Sequence, residues 1–577
     1  MVVRERFTSP LGSTPAMSLK RQAIWSVVVF LIVSVFVVGV RPMVQPDEPR
    51  YGIIAAEMVE SGEWFALRMA GFHYYEKPPM GYWMIAASIQ VFGENAFAIR
   101  LPSAIAAGLS ALAAWLIAVR ITGRRAMGPL AFIVQATTIG PMIIGSVANL
   151  DSMFSAWISL CMVSFYAACT SIGRKRIGWL ALAGAASGFA FLTKGLLGFA
   201  IPAVTALAFL AWERRWWDML RLPWIPLAAA AVIVAPIAIL LHRSEPRFWE
   251  YFIVVEHFRR FANPDSNQHG EPWWFLIVLL PVGGVMWTLT WSRAIRGLFL
   301  AKGASMRSGM RFAIAWIIAP LVLLSISAGK MPSYIAPLFV PIAVLVTIGL
   351  VSAHERLIME PLIVRRIGRW ILRVLAVGAI AAIFTGTDWM GVPVIWSTSP
   401  TLHWIVIAFV FLLWAEIDRW SWRAADATTW LMRSATAPVA LLAAIPFLFP
   451  DGYVLQTQIP WRALEENQQV LRESSQLYTT AQLGHCVTWL TGRRDTMIFG
   501  YASEFDNELD LPQDDARLVT RDELIARIRS STAGGIAVVF SANDEAKLIA
   551  SPGIPAPTTK YVRGDIAILS WGEKQAK

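Results

Sequence analysis

Charge is scarce in this chain. Only 15% of its 577 residues are Asp, Glu, Lys or Arg, against roughly 25% in ordinary soluble chains, so a string of soluble domains is excluded. Cysteine is scarcer still. There are three, with Cys161 and Cys169 in one apolar stretch and Cys486 alone near the C-terminus. No C-x-x-C pair or metal-ligand spacing occurs, which removes a disulfide scaffold and cysteine-based chemistry. Internal repeats and low-complexity tracts are missing too. What abounds is apolar: 56% of residues are hydrophobic, with 27 Trp and 30 Phe. This is the composition of a polytopic α-helical membrane protein.

The net charge of +11 is unevenly spread. From Asp451 to Lys577 there are 13 basic and 17 acidic residues, leaving 37 basic and 22 acidic before them. Basic excess confined to the hydrophobic part is the signature of short cytoplasmic loops, not of a nucleic-acid partner. The first apolar run, Ala23 to Val40, follows Arg4, Arg6, Lys20 and Arg21. It is longer than a signal-peptide core and runs into Arg41-Pro42 without a small-residue cleavage site. It reads as a retained first span with its N-terminus in the cytoplasm.

Further runs of about 20 residues, the length that crosses a bilayer, fit near 97–119, 127–143, 149–170, 177–193, 196–212, 223–241, 273–291, 311–328, 332–351, 370–386, 401–416 and 433–450. That predicts thirteen spans. Met80 to Phe92 follows Pro78-Pro79, is too short to cross, and reads as an interfacial helix. Loop charge alternates accordingly. Arg124-Arg125, Arg174-Lys175-Arg176, Arg214-Arg215, Arg293 with Arg296, and Arg365-Arg366 with Arg369 lie on the inside. An odd count then places the C-terminal part outside. The expected fold is thus a transmembrane domain over 1–451 with extracytoplasmic interfacial helices, followed by a small soluble α/β domain over 452–577. In the latter, Trp461–Thr479 and Arg521–Ser530 read as amphipathic helices, and Thr496–Gly500, Gly535–Phe540 and Asp565–Ser570 as short buried strands. It carries no nucleophile elbow, phosphate loop or metal cluster.

Ionisable groups near spans are costly and point to function. Here they gather on the predicted outer side: Asp47, Glu48 and Arg50; Glu76-Lys77; Asp151; Lys194; Lys330; and Glu256, His257, Arg259, Arg260 and His269. Each has a plain structural reading beside the functional one. Asp47-Glu48 read equally as solvated loop acids, Asp151 before Ser152 as a helix cap, and Lys194 and Lys330 as snorkelling side chains. Their convergence on one face favours a site. A transporter would instead show repeats and polar groups at the bilayer midplane.

Gln45-Pro46-Asp47-Glu48-Pro49-Arg50-Tyr51, followed by Tyr74-Tyr75-Glu76-Lys77-Pro78-Pro79, resembles the lipid-phosphate-dependent integral-membrane glycosyltransferases that include the protein O-mannosyltransferases. Within them the chain is most similar to the bacterial lipid A aminoarabinose transferases. Supporting segments are Asn149-Leu150-Asp151, Leu192-Thr193-Lys194-Gly195, and Gly329-Lys330-Met331-Pro332-Ser333-Tyr334. Trp489 to Asp495 and Gly500 to Phe505 resemble that subgroup's tail.

The resemblance implies transfer of a sugar, 4-amino-4-deoxy-L-arabinose in the subgroup, from undecaprenyl phosphate to a lipid A phosphate outside the inner membrane. The alternative is another acceptor, such as a protein hydroxyl. It implies Asp47, Glu48, Lys77 and Asp151 as catalytic residues. Arg50, Tyr74, Tyr75, Lys194, Arg260, Lys330 and Tyr334 would bind substrate, with cations meeting the charge that grows on the leaving phosphate. A hydroxyl acceptor would need one carboxylate as general base; an anionic phosphate acceptor would leave Asp47 and Asp151 to orient the sugar. Lys77 would hold Asp151 in an ion pair or touch the acceptor phosphate. No cofactor is required, although Glu76 and His257 have the chemistry of a zinc pair.

Overall fold

The computed structural model describes residues 19–40, 43–259, 270–288, 290–301, 303–327, 329–356, 362–385, 400–424, 426–448, 460–501, 505, 516–530, 535–542, 548–549, 551–563 and 565–572. Long apolar helices dominate it. In chain order they begin α1 Leu19–Val40, α2 Asp47–Ser61, α3 Met80–Phe92, α4 Ala96–Thr122, α5 Met127–Ala136, α6 Ile139–Ser146, α7 Leu150–Cys169, α8 Gly173–Lys194, α9 Leu197–Trp212, α10 Trp216–Arg221 and α11 Trp224–Ser244. Helices at 275–283, 291–300, 304–326, 339–355, 362–385, 400–421, 427–434 and 436–448 follow. Among the described residues seven helices are long and apolar enough to cross a membrane, eight if one bent pair counts as a span. The helices α7 and 339–355 are buried almost throughout and form the bundle's centre, while the span ending in α11 turns most of its surface outward.

Two of the expected spans are broken, each for a local reason. The run 127–143 bends by 63° between α5 and α6. There the Thr137 and Thr138 hydroxyls each donate to a carbonyl one turn back, Ile133 O and Val134 O, at 2.6 Å, a back-bond that competes with the helix's own ladder and bends it. The run 273–291 stops at Gly283-Gly284, after Pro281, whose carbonyl accepts from Thr288 Oγ1 at 2.6 Å. Proline removes a ladder donor and paired glycines lower helix propensity, so apolarity alone did not carry the helix through. The helix expected over 433–450 forms as a 13-residue segment, Thr436–Leu448.

Residues beyond 460 build a six-stranded sheet, with β1 (Arg68–Met69) and β2 (Phe72–His73) forming a separate small hairpin earlier in the chain. The strands are β3 Gln476–Thr479, β4 Met497–Phe499, β5 Leu518–Val519, β6 Ile536–Ser541, β7 Thr559–Arg563 and β8 Ile566–Trp571, in the order β5-β4-β3-β6-β8-β7. The first four run parallel, and β8 and β7 add antiparallel. β6 and β8 are buried along nearly their whole length, which is why they read as continuous apolar runs instead of alternating ones. The single helix expected over 461–479 is instead two short helices, Trp461–Glu466 and Gln468–Glu473, followed by β3. Tertiary pairing of β3 between β4 and β6 overrides the helical pattern there.

The sheet unit packs directly on α2. Gly52 lies against the Trp489 indole so closely that an added Cβ would fall 2.6 Å from the ring. Gly52→Ala is therefore expected to destabilise the protein by about 1–3 kcal/mol through overpacking. A lowered thermal midpoint of the purified protein would show it. Gly178→Ala, with open space around the new methyl, is the control and should leave the midpoint unchanged or raise it.

Candidate active site

Three chain segments meet at one end of the bundle, each bringing its charge at a helix terminus. Asp47 and Glu48 occupy the first turn of α2, where the helix dipole favours carboxylates, but their surroundings differ sharply. Glu48 is fully buried, as is Arg100 of α4, and the two form a bidentate pair at 2.7 and 2.9 Å. The same carboxylate accepts from Val44 N at 2.8 Å and Ala148 N at 3.0 Å. Its two oxygens are spent on joining α2, α4 and the segment before α7. Glu48, expected as a catalytic residue, is thus held in a buried ion pair with Arg100. Asp47 stays partly exposed and pairs with Arg50 one turn on. The Arg50 guanidinium in turn lies 5.1 Å from the centre of the Tyr51 ring.

Asp151 sits in the first turn of α7, which is capped not by Asp151 but by Asn149, whose side chain accepts from Ser152 N at 2.8 Å. Ser103 of α4 pins this corner through Asn149 O at 3.0 Å and Ser152 Oγ at 2.6 Å. Asp151 is thus free of capping duty and forms an ion pair with Lys194, in the last turn of α8. The Lys194 ammonium also lies 4.2 Å from the centre of the Tyr334 ring, a cation–π contact. Lys77 pairs with Glu256 instead of Asp151 and donates to Glu76 O at 3.1 Å. The Asp151 partner is therefore Lys194, and the expected Lys77–Asp151 pair does not form. Lys77 and Asp47 nevertheless lie within electrostatic reach of Lys194, and Asp47 and Asp151 both act on Tyr51.

Tyr74 and Tyr75 are almost wholly buried. Tyr82 donates to the Tyr74 hydroxyl at 3.0 Å, and Tyr75 donates to Glu245 at 2.6 Å, which also pairs with Arg68 at 2.7 Å. Tyr74 and Tyr75, expected to bind substrate, thus have their hydroxyls engaged within the protein. Burial and the Asp47 charge hold the Tyr51 phenol well above its usual range, so it is a neutral hydrogen-bonding group and not a base. Lys330 is not drawn into this cluster, since its described contacts are to the carbonyls of Glu271 and Ser327 at 2.8 and 2.5 Å. Arg260 and the His257 side chain lie outside the described residues. Glu76 is half-buried, and among the described residues no three His, Cys, Asp or Glu converge as metal ligands. Tyr51 and Arg100 were not singled out from sequence, and Glu256, gathered there with the outer-side charges, was not assigned its partner Lys77. Glu256 stands 179 residues from Lys77 and Arg100 52 from Glu48, separations that no local pattern reports.

A family model described as dolichyl-phosphate-mannose-protein mannosyltransferase matches residues 21–252. The undecaprenyl phosphate-α-4-amino-4-deoxy-L-arabinose arabinosyl transferase of Aeromonas salmonicida is 31% identical over 536 residues, covering 89% of this chain and 93% of that protein. The chain belongs to this transferase family. Its counterpart of the same name in Erwinia tasmaniensis is 30% identical over 542 residues, covering 92% of this chain and 96% of that one. Among solved structures, ArnT from Cupriavidus metallidurans in the apo state superposes with a TM-score of 0.77 at 20% identity, covering 95% of this chain and 97% of that one. The form of the same protein bound to undecaprenyl phosphate gives 0.75. These likenesses establish the fold: the transferase is a multi-pass membrane protein with the architecture of that enzyme.

The sheet unit holds the acid-bearing helix of the transferase in place. Arg494 pairs with Glu60 at 2.9 Å and Glu57 at 3.4 Å, both on α2. Arg517 donates to Ala70 O at 2.6 Å and covers the Phe72 ring at 4.2 Å. Trp461 donates to Met43 O, and Cys486 to Gln45 Oε1 at 2.9 Å, just before Asp47. Between them, Glu57 accepts from Gly71 N at 3.1 Å. Burial pushes the Glu57 carboxyl up from 4.5 to about 7 against the pull of Arg494, Gly71 N–H and Arg517, with Glu60 reinforcing the rise. The folded-state value lies above the unfolded one, so folding retains a proton and stability falls as pH rises from about 4.5 to about 7. Glu57→Gln is expected to flatten that slope of melting temperature against pH, and an unchanged slope would assign it to other groups.

Proposed function

We propose that the chain transfers 4-amino-4-deoxy-L-arabinose from undecaprenyl phosphate to a phosphate of lipid A at the periplasmic face of the inner membrane. Supporting this, the relatives that share most of its length are named for that donor sugar and carrier. The observation that carries the site is the meeting of Asp47–Arg50, Asp151–Lys194–Tyr334 and Lys77–Glu256 at one end of the bundle. In this reading all thirteen apolar runs cross the membrane, the N-terminus is cytoplasmic, and the sheet unit over 452–577 is periplasmic.

The reaction forms a bond from an acceptor phosphate oxygen to the sugar's anomeric carbon and breaks that carbon's bond to the carrier phosphate, which leaves with the electron pair. Charge grows on the leaving oxygen, so cations fixed in a water-poor site favour the transition state. Arg50, Lys77 and Lys194 are those cations. In the resting enzyme each is paired with a carboxylate, Asp47, Glu256 and Asp151 respectively. An incoming phosphate exchanges with these carboxylates and frees Asp47 and Asp151 to meet the amino sugar's hydroxyls and ammonium. An ionised acceptor phosphate needs no general base, which fits a site whose buried Tyr51 stays protonated. Should zinc bind at Glu76 and His257, it would add a further positive charge beside Lys77.

Mass spectrometry of lipid A from cells with and without the chain tests the reading. An amino-pentose mass increment that depends on the chain supports it. Unmodified lipid A alongside altered glycoproteins would replace the acceptor with a protein.

A further inference from the structure

Lys330 is set apart from the residues assembled around Asp151, and its surroundings suggest a task of its own. Its side chain is buried, with 4% of the residue exposed. Its ammonium has three donors, of which two reach the carbonyls of Ser327 and Glu271. Four residues C-terminal, Tyr334 carries the ring that supports Lys194. Ser325 is buried as well, and its hydroxyl has no hydrogen-bond partner among the described residues. Both side chains line a groove of about 860 Å³ between the 275–283 and 304–326 helices. Leaving an ammonium and a hydroxyl buried beside apolar walls is costly unless an anion or acceptor meets them.

The rest of the groove is apolar. Ile318, Val322 and Ile326 recur every four residues along the 304–326 helix, a single stripe that is 52, 53 and 70% exposed. Trp273 stands at the head of the groove, 67% exposed, as an aromatic residue does at a membrane–water boundary. Glu271, exposed, lies on the rim near Lys330. A cation, a buried hydroxyl and an anion thus crown an apolar channel. The matching ligand has a phosphate, a second group of positive charge and a long chain. A cleft of this size encloses about one drug-sized ligand, room for a headgroup and the start of a single chain.

We propose that this groove is a holding site for the loaded donor, a single-chain lipid phosphate bearing an amino sugar, beside the reaction centre and separate from it. The phosphate sits on Lys330 Nζ and Ser325 Oγ, the sugar's ammonium on Glu271, and the isoprenoid along the Ile318–Val322–Ile326 stripe. The 332–338 turn then joins the waiting headgroup to Tyr334 and Lys194. The proposal rests on the lipid-phosphate donor assigned above.

The test uses the full-length protein in phosphatidylglycerol nanodiscs with undecaprenyl-phosphate aminoarabinose as donor. Val322→Trp and Ile326→Trp, which fill the groove without touching the charged cluster, are expected to raise the donor KM about 10-fold with kcat held within about twofold. Lys330→Met should weaken inhibition by bare undecaprenyl phosphate, whereas Glu271→Gln should leave that inhibition unchanged and raise only the donor KM. Donor KM unaltered by both tryptophans overturns the proposal. So does competition from added phosphatidylethanolamine, which would make the groove an ordinary phospholipid site. A wild-type protein that transfers no aminoarabinose would defeat the functional assignment itself, whereas normal turnover with an indifferent donor KM defeats only the groove.

Discussion

Lys77→Ala is expected to lower kcat by about 10²–10³-fold, the loss seen when one fixed donor is removed from a developing oxyanion. Lys77 reaches the site from the Glu-Lys-Pro-Pro segment and is held by Glu256 from the far side. Prolines at 78 and 79 fix the backbone that follows, so the ammonium is presented from a stiff turn. The loss should appear in kcat more than in donor KM if the charge acts mainly on the leaving oxygen. A purely structural Lys77 would predict a different pattern. Glu256→Gln, which keeps the ammonium and removes its partner's charge, would then be as damaging as Lys77→Ala. Retained activity in Glu256→Gln beside its loss in Lys77→Ala is the expected result, with both proteins monodisperse and melting normally.

Glu48→Ala is expected to act on stability first. It removes one partner of a pair in which both side chains are fully buried, leaving the Arg100 guanidinium without its counter-charge at a cost of about 3–5 kcal/mol. Ala148 N and Val44 N lose their acceptor as well. Yield and melting temperature should therefore fall together with activity. Glu48→Leu combined with Arg100→Met should recover much of the lost stability, because an apolar pair of similar volume replaces a buried ionic one at little cost. A Glu48→Ala protein that melts like the wild type but is inactive would assign Glu48 to the catalytic group.

What the sequence made legible was the chemistry at helix ends. Asp47, Lys77, Asp151 and Lys194 stand out because ionisable groups are rare beside apolar runs, and the structure brings them within electrostatic range of one another. Who pairs with whom was not legible. Asp151 chooses Lys194 because α7 and α8 lie side by side with the start of one beside the end of the other, a fact of packing. Hydropathy likewise found the apolar runs but not the breaks. It scores Thr137, Thr138 and Gly283-Gly284 as mild residues, although their hydrogen bonds and backbone freedom decide whether the helix continues. In the tail, β6 and β8 were visible as buried apolar strands. β3 and the helix Ala481–Thr491 were not, because β3 is defined by neighbours drawn from elsewhere in the chain.

The contacts from Trp461, Cys486, Trp489, Arg494 and Arg517 to the region around Asp47 join the beginning of the polypeptide to its last fifth. A ribosome finishes the membrane bundle well before those partners have emerged. The helix carrying Asp47 thus waits, incompletely braced, until the remainder has been made and brought to the same side. Prematurely ended chains should accordingly insert yet stay inert, so that a cell accumulating fragments would not squander its scarce lipid carrier on them.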